Sequence, residues 1–337
     1  MSDNYWNDSL VGLSLNLVPD LRGYGGEEAE GPLYDESWME TFYAPMPNYV
    51  HKCTGVLLMV IIYLGLHGNA ITIQIFLSTK SLRTPQNLFL VNLAVVDLIM
   101  VMSCQPVKCI ASFLQYYPLN TCYVFGTLAT FGGLCSINSM AAIAYDRYIM
   151  ICSSPEDMTT PSTKRSLSII GVVWAYNLIF AILPNVGVGG FILNGSRTSC
   201  TFDFISRTWS NRINLLVMYI AGFLFPLAIS IFCYLRIYLK VKNGGSVCKK
   251  DAKGHNKGKE ILVAKASMLC IGVFIITWLP YAVLGVAGQF VEPQFFNPYM
   301  TTWPALIAKT NCIYNPIIYA FAHPSFKKEL KRRLTGP

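Results

Sequence analysis

The sequence predicts an all-α membrane protein, a seven-transmembrane helix bundle with its N-terminus outside and a short amphipathic helix after the seventh span. Three observations predict it. The 337 residues are 53% hydrophobic and only 13% charged, whereas a soluble chain carries about 25% charged residues. The apolar residues gather in runs of about 20 or more, long enough to cross a bilayer. The basic residues gather in alternate connections, and that asymmetry sets the orientation.

Residues 1–48 read as an extracellular acidic arm. Asp3, Asp8, Asp20, Glu27, Glu28, Glu30, Asp35, Glu36 and Glu40 face a single Arg22, a balance that predicts disorder. Asn7-Asp8-Ser9 is a glycosylation sequon in such an arm. Met1 to Gly12 has no apolar run, so no cleavable signal peptide is expected and the first span serves as its own insertion signal. Spanning windows follow at about 53–79, 86–112, 119–151, 166–189, 211–240, 260–288 and 297–321, so the bundle occupies residues 49–321. Lys80 and Arg83 lie in the first connection, Lys164 and Arg165 in the third, and a lysine-rich run from Lys240 to Lys259 in the fifth. Lys327, Lys328, Lys331, Arg332 and Arg333 follow the seventh span, so this side is cytoplasmic. In the tail, residues 322–337, Phe326, Leu330 and Leu334 can share one face with Phe321. That pattern suggests an amphipathic helix on the inner leaflet rather than a merely solvated basic segment.

The net charge of +8 sits in short loops and the tail, so it is no nucleic-acid footprint. Of eleven cysteines, Cys104, Cys109, Cys135, Cys152, Cys233, Cys270 and Cys312 fall inside apolar runs, where a thiol is a small packing group. Cys122 and Cys200 instead lie at the outer ends of elements. No cysteine–histidine spacing suggests a metal and no glycine-rich phosphate loop appears, so neither a metal site nor an enzyme is expected.

Polar groups inside a bilayer are expensive and mark function. The spans carry, in order, Gly68-Asn69; Asn92 to Asp97; Asp146-Arg147-Tyr148; Trp174; Pro226 and Tyr234; Trp278-Leu279-Pro280-Tyr281; and Asn315-Pro316-Ile317-Ile318-Tyr319. Arg147 at a cytoplasmic helix end can pair with Asp146 and reach Glu260, a desolvated pair that is costly to break until a new partner arrives. Asp97, Asn69 and Asn315 can form a polar core network. Pro280 and Pro316 remove backbone donors and permit kinks. Packing alone accounts for any one of these residues but not for all together. In this order, one set per helix, they resemble the rhodopsin-like class of G-protein-coupled receptors over about residues 53–334. The resemblance implies a heterotrimeric G protein as partner, arrestin as a further one, membrane lipid around the bundle, and a bridge between Cys122 and Cys200.

Lys309 stands near the middle of the seventh span. A charged lysine there costs about 2.5–3.5 kcal/mol on insertion scales, so it calls for a buried ion pair or for a neutral amine acting as a nucleophile. Desolvation favours the neutral amine, which condenses with an aldehyde to a Schiff base. Snorkelling fits poorly, because the basic cytoplasmic end is several turns away. A lysine six positions before Asn315-Pro316 resembles the opsins, which bind retinal there. Leu82-Arg83-Thr84-Pro85-Gln86-Asn87, Ala308-Lys309-Thr310 and Tyr314 are similar to them as well. The resemblance places Thr130, Gly132 and Gly133 of the third span and Trp278 and Tyr281 of the sixth along the polyene. Phe223 and Phe225 are further candidates for the wall of a mostly apolar, aromatic site.

Two positions depart from the opsin pattern. The carboxylate that keeps the Schiff base protonated usually stands three residues after the third-span cysteine, or six before the loop cysteine. Here those positions are Phe125 and, if the loop aligns without gaps, Asn194, which belongs to a second sequon, Asn194-Gly195-Ser196. Lys108, near the outer end of the second span, adds positive charge to the pocket unless it snorkels. Three outcomes stay open. The missing acid favours an unprotonated, ultraviolet-absorbing Schiff base. A bound anion such as chloride between Lys108 and the Schiff base is the second. The third is an acid, Asp203 or Glu292, folding in from a loop, although Asp203 reads as structural.

The implied function is a light-activated receptor of the plasma membrane or a photoreceptor membrane. It binds 11-cis or all-trans retinal on Lys309 and activates a G protein in phototransduction. A retinal photoisomerase, and a chemically gated receptor with Lys309 in an ion pair, are the alternatives. Trp174-Ala175-Tyr176 and Thr198-Ser199-Cys200-Thr201-Phe202-Asp203 look like the neuropsin and peropsin group, whereas His323-Pro324-Ser325 is similar to invertebrate opsins.

Overall fold

In a bilayer only a helix satisfies its own backbone within one segment, and each apolar run folds that way. The computed structural model describes residues 37–153, 162–243 and 257–335. The first span is Asn48–Ser78, the second Leu88–Leu114, the third Cys122–Cys152 and the fourth Thr163–Ala181. The fifth runs through Trp209–Tyr219, a π-turn at Ile220–Leu224, and Phe225–Lys242; the sixth is Lys257–Ala287. The seventh comes in two pieces, Pro298–Lys309 and Asn311–Ala322, and Pro324–Thr335 follows it. Five helices are long and apolar enough to cross a membrane alone. The fourth, with 19 residues, and the two halves of the seventh complete the bundle.

Three departures from the expected spans have local causes. The fourth ends at Ala181 rather than near residue 189, because Pro184 has no N–H to donate and Gly187 takes the left-handed conformation at φ 87°. The fifth widens into a π-turn just before Pro226, whose missing N–H leaves the regular ladder one bond short. The seventh breaks at Thr310, whose hydroxyl takes the Ile307 carbonyl at 2.6 Å. Lys309 therefore ends a helix instead of sitting within one.

On the outer side, β1 (Phe191–Leu193) pairs antiparallel with β2 (Cys200–Phe202). A disulfide from Cys122 to Cys200, with Cα atoms 5.5 Å apart, ties this hairpin to the third span. The acidic arm is not disordered throughout. Ser37–Phe42 is a short helix, and Phe42 is fully buried beside Phe202, Phe204 and Phe296. Asn7 lies outside the described residues. The inner half packs around Phe76, Phe89, Ile137, Phe274, Tyr319 and Phe326, while Leu57, Val172, Phe232 and Ile276 face outward toward lipid. In the last helix Phe326 is buried and Leu330 half-buried. Phe321 does not join that face, since it closes the seventh span and is 75% exposed. Glu329 pairs with Arg332 and Arg333 at 2.7 and 2.9 Å.

Phe42 is the side chain that anchors the end of the arm. Phe42→Ala should cost about 3–5 kcal/mol and lower the melting temperature of the purified receptor, whereas Glu40→Ala at an exposed neighbour should stay within about 0.5 kcal/mol. Thermal unfolding of the two variants in detergent checks this.

Candidate functional site

Beneath the hairpin lies a cavity of about 1070 Å3, its mouth included, bounded by the third, fifth, sixth and seventh spans. Lys309 lines it from the end of the outer half of the seventh span. On the third span Gly126, Ala129, Thr130 and Gly133 line it at helical spacing, so one face of that helix forms the wall. Phe125 is rotated off that face and does not line the cavity; its carbonyl accepts a bond from Cys104 Sγ at 3.4 Å. Gly132 also turns away, onto Met100 of the second span. At Gly133 an added Cβ would lie 2.4 Å from Trp278 Cη2, so glycine is what lets the indole lie there. Trp278 stacks on Phe274 with centroids 5.3 Å apart, and Tyr281 meets it edge-on. Tyr281 also shares a hydroxyl bond with Thr201 of β2. Phe223 lines the cavity, but Phe225, just beyond the π-turn, is 57% exposed toward lipid.

Among the described residues, none that lines the cavity is an aspartate or a glutamate. Asp203 is structural: its carboxylate accepts the N–H groups of Ile205 and Ser206 at 3.0 and 2.9 Å. Glu292 pairs with Arg207 at 3.1 Å on the outer surface. Neither acid folds in. Asn194 does line the cavity, buried beside Thr302, and its Oδ1 accepts from the Thr198 and Ser199 N–H groups. The loop therefore runs across the cavity, and the second sequon is folded away from any glycan. The thiols Cys104 and Cys312 are among the ionisable neighbours of Lys309. Lys108 lies behind the lining, 1% exposed, and its Nζ has no hydrogen-bond partner among the described residues. It does not snorkel, and it is near enough to Lys309 for the two charges to interact.

Toward the cytoplasm the polar residues of the spans come together. Asn315 Nδ2 donates to Asp97 at 2.8 Å and Ser136 Oγ donates to it at 3.4 Å. Asn69 joins differently from the expected network: its Nδ2 donates to the Gly65 and Cys312 carbonyls, not to Asp97. Gly68 packs on Pro316. Trp174 Nε1 donates to Asn92, and Asn92 donates to Ser139. Arg147, 1% exposed, lies 3.4 Å from Asp146. Tyr148 packs on Phe232, and Tyr319 on Phe76 and Phe326. The side chain of Glu260 lies outside the described residues.

The family described as 7 transmembrane receptor (rhodopsin family) matches residues 68–319. The chain belongs to the rhodopsin family of seven-transmembrane receptors. The "Rhodopsin, GQ-coupled" of Mizuhopecten yessoensis is 35% identical over 344 residues, covering 95% of this chain and 68% of that protein. The rhodopsin of Enteroctopus dofleini is 33% identical and covers 86% and 66%; the melanopsin of Branchiostoma belcheri is 29% identical and covers 96% and 47%. The receptor thus spans about two thirds or less of the length of these curated relatives. The crystal structure of squid rhodopsin matches with a TM-score of 0.81 at 32% identity, covering 87% of each chain. These relatives are receptors rather than enzymes, they agree with the likeness to invertebrate opsins around His323, and they imply a retinal chromophore.

Four lining aromatics of this receptor, Phe191, Phe202, Tyr219 and Phe274, were not among the wall residues expected from the sequence. Tyr219 lies one turn before Phe223 on the cavity face of the fifth span, a periodicity that was legible. Phe191 sits in the loop hairpin, where no period exists to read. At the inner end, His323 Nδ1 accepts the Phe326 N–H at 3.2 Å and so joins the seventh span to the last helix. Burial, with the Arg147 guanidinium nearby, pulls this imidazole down from 6.5 to about 4. The unfolded state binds the proton first, so the joint is fully stable above pH 6.5 and loses stability as pH falls toward 4. An imidazolium also has no lone pair left for the Phe326 N–H. Hydrogen exchange at the Phe326 amide should accelerate over that window beyond its intrinsic pH trend. His323→Asn, which keeps a capping oxygen without the titration, should remove that excess.

Proposed function

We propose that this receptor senses light through retinal held on Lys309 and passes the signal to a heterotrimeric G protein. One observation carries the proposal: among the described residues, Lys309 is the one charged side chain lining an apolar cavity walled by aromatic rings. The cavity suits a long apolar ligand with an aldehyde at one end. Lys309 Nζ supplies the nucleophile there, Gly133 leaves room beside the indole, and Trp278 and Tyr281 flank the ligand's length. Retinal, joined through its aldehyde to that amine as a Schiff base, supplies a double-bond isomerisation driven by one photon.

The rest is done by residues of this chain. The hairpin, held by Cys122–Cys200 and the Thr201–Tyr281 bond, covers the cavity and keeps water out. Trp278 rests on Phe274, so a load on the indole falls along the sixth helix, which Pro280 allows to bend. Asp97 and Asn315 tie the seventh span to the second and keep its inner half in step. Parting of the third and sixth spans exposes the Asp146–Arg147–Tyr148 corner to a G protein. Coupling of the Mizuhopecten relative to GQ, as its name states, favours that class of partner. Arrestin would compete for the same inner face.

A protonated nitrogen on Lys309 needs an anion beside it, and no described residue lining the cavity is a carboxylate. The nitrogen therefore stays unprotonated and the pigment absorbs in the near ultraviolet. A chloride ion held by a protonated Lys108 is the second reading, favoured by the Lys108 Nζ having no hydrogen-bond partner among the described residues. Phe125 acts on the site only from behind the wall, by packing.

The test is reconstitution with 11-cis and with all-trans retinal, with spectra recorded in chloride and in a halide-free buffer. A near-ultraviolet band in both buffers is expected, and Lys309→Ala should form no pigment. A visible band that requires chloride would establish the second reading. A visible band indifferent to halide would sink both. Light should accelerate nucleotide exchange on a co-reconstituted Gq; isomer release without exchange would replace signalling by photoisomerisation.

A further inference from the structure

Lys108 is a second amine enclosed by the bundle. It is 1% exposed, its Nζ has no hydrogen-bond partner among the described residues, and it stands within electrostatic reach of Lys309. Asp97, the acid of the same span, lies about three turns deeper and is taken up by Asn315 and Ser136. A buried amine without an anion is held as the free base, because nothing offsets the desolvation of its charge. A free, desolvated amine is a nucleophile. Gln105, about one turn before Lys108 on the same face, is also 1% exposed, and its Oε1 too is without a partner among the described residues. Its Nε2 donates to Cys312 Sγ at 3.7 Å, and Cys312 Sγ donates to the Lys309 carbonyl at 3.2 Å. A short chain of contacts therefore joins the turn that carries Lys108 to the one that carries Lys309.

We propose that Lys108 is a carbon dioxide site and that its carbamate serves as the anion for the Lys309 nitrogen, a role that rests on retinal being held there. The enclosure selects the ligand. An electrophile that reaches Nζ must be small and must cross lipid and packed side chains, which excludes charged bicarbonate and larger carbonyl compounds. Carbon dioxide is compact and apolar. The Lys108 lone pair forms a bond to its carbon, one C=O π pair moves onto oxygen, and a proton leaves the nitrogen. The imine nitrogen on Lys309 takes that proton; in the retinal-free receptor the Lys309 amine takes it. An amine, an imine and a neutral gas thus become a carbamate and an iminium with no change in net charge. Each charge then favours the other, and the carbamate N–H has an acceptor in Gln105 Oε1. Chloride needs Lys108 charged, whereas carbon dioxide needs it neutral, the form that burial favours.

Carbon NMR of the full-length receptor in detergent, without retinal and under isotope-labelled carbon dioxide, reads the site itself. A carbamate resonance is expected that nitrogen purging removes and that Lys108→Met lacks. A carbamate on the α-amino group is common to both chains and drops out of the comparison. Lys108→Met keeps the length of the side chain, and an unchanged melting temperature shows that the fold survives. The anion's role is read on the pigment at fixed pH and fixed chloride. Raising carbon dioxide should move the absorption from the near ultraviolet to the visible, and purging should return it. Lys108→Met should stay in the near ultraviolet under both gases. Absence of a Lys108-dependent resonance overturns the site. A resonance without a band shift overturns the carbamate's role as the anion. Failure of Lys309 to take up retinal would instead end the light-sensing reading, and the resonance of the retinal-free receptor would still decide for or against the carbon dioxide site.

Discussion

Inside a bilayer no water is at hand for a polar side chain, so each one must find its partner on another helix. Most of this bundle is arranged by that constraint. Asn92 takes the Trp174 indole and gives to Ser139, which fastens the second span to the fourth and the third. Asn69 reaches the backbone of the seventh span, Asn138 the Asn177 amide of the fourth, and Asp97 gathers Ser136 and Asn315. The apolar residues between these joints fill space but have little preference for one register, because lipid is as apolar as they are.

Lys108 and Lys309 are the exceptions, and the site derives its character from them. Neither amine has a carboxylate beside it, although a charged amine could hardly be placed more expensively. For Lys309 the answer is geometric: the helix breaks at Thr310, the side chain enters a cavity, and the amine is left free to react. Lys108 is instead buried behind the wall, with no hydrogen-bond partner for its Nζ among the described residues. On the proposed reading an acid in this place would hold a proton on the Lys309 nitrogen, and no described residue of the lining supplies one.

Much of this was legible in the chain. Seven apolar runs, alternating basic loops and a lysine in the last run are statements about transfer free energy, and transfer depends on composition alone. The polar residues, one set per helix, were visible because they contradict their surroundings. The errors fell where neighbours decide. Gly132 was assigned to the wall and Phe125 to the usual counterion position beside the site, although each is one step off the face that Gly126, Ala129, Thr130 and Gly133 form. Phe225 was misplaced because a π-turn shifts the helix phase just before Pro226. Asn69 was read as a partner of Asp97, yet besides the Gly65 carbonyl of its own helix it bonds to the Cys312 carbonyl, an acceptor it meets only once the seventh span lies beside it. The end of the arm was read as disordered because its acids outnumber its aromatics, whereas burial of Phe42 among phenylalanines from two other segments outweighs them.

By itself the sequence determined the architecture, its orientation and the presence of one reactive amine deep in the membrane, because hydropathy, loop charge and residue identity are local properties. The tertiary structure alone decided which side chains surround that amine. Asp203 and Glu292 are near Cys200 and the sixth span in the chain, but one is spent on backbone amides and the other on Arg207. Whether an acid, an asparagine or nothing at all faces Lys309 depends on how a loop folds across the bundle. Bonds made hundreds of residues apart settle that, and no local pattern encodes them.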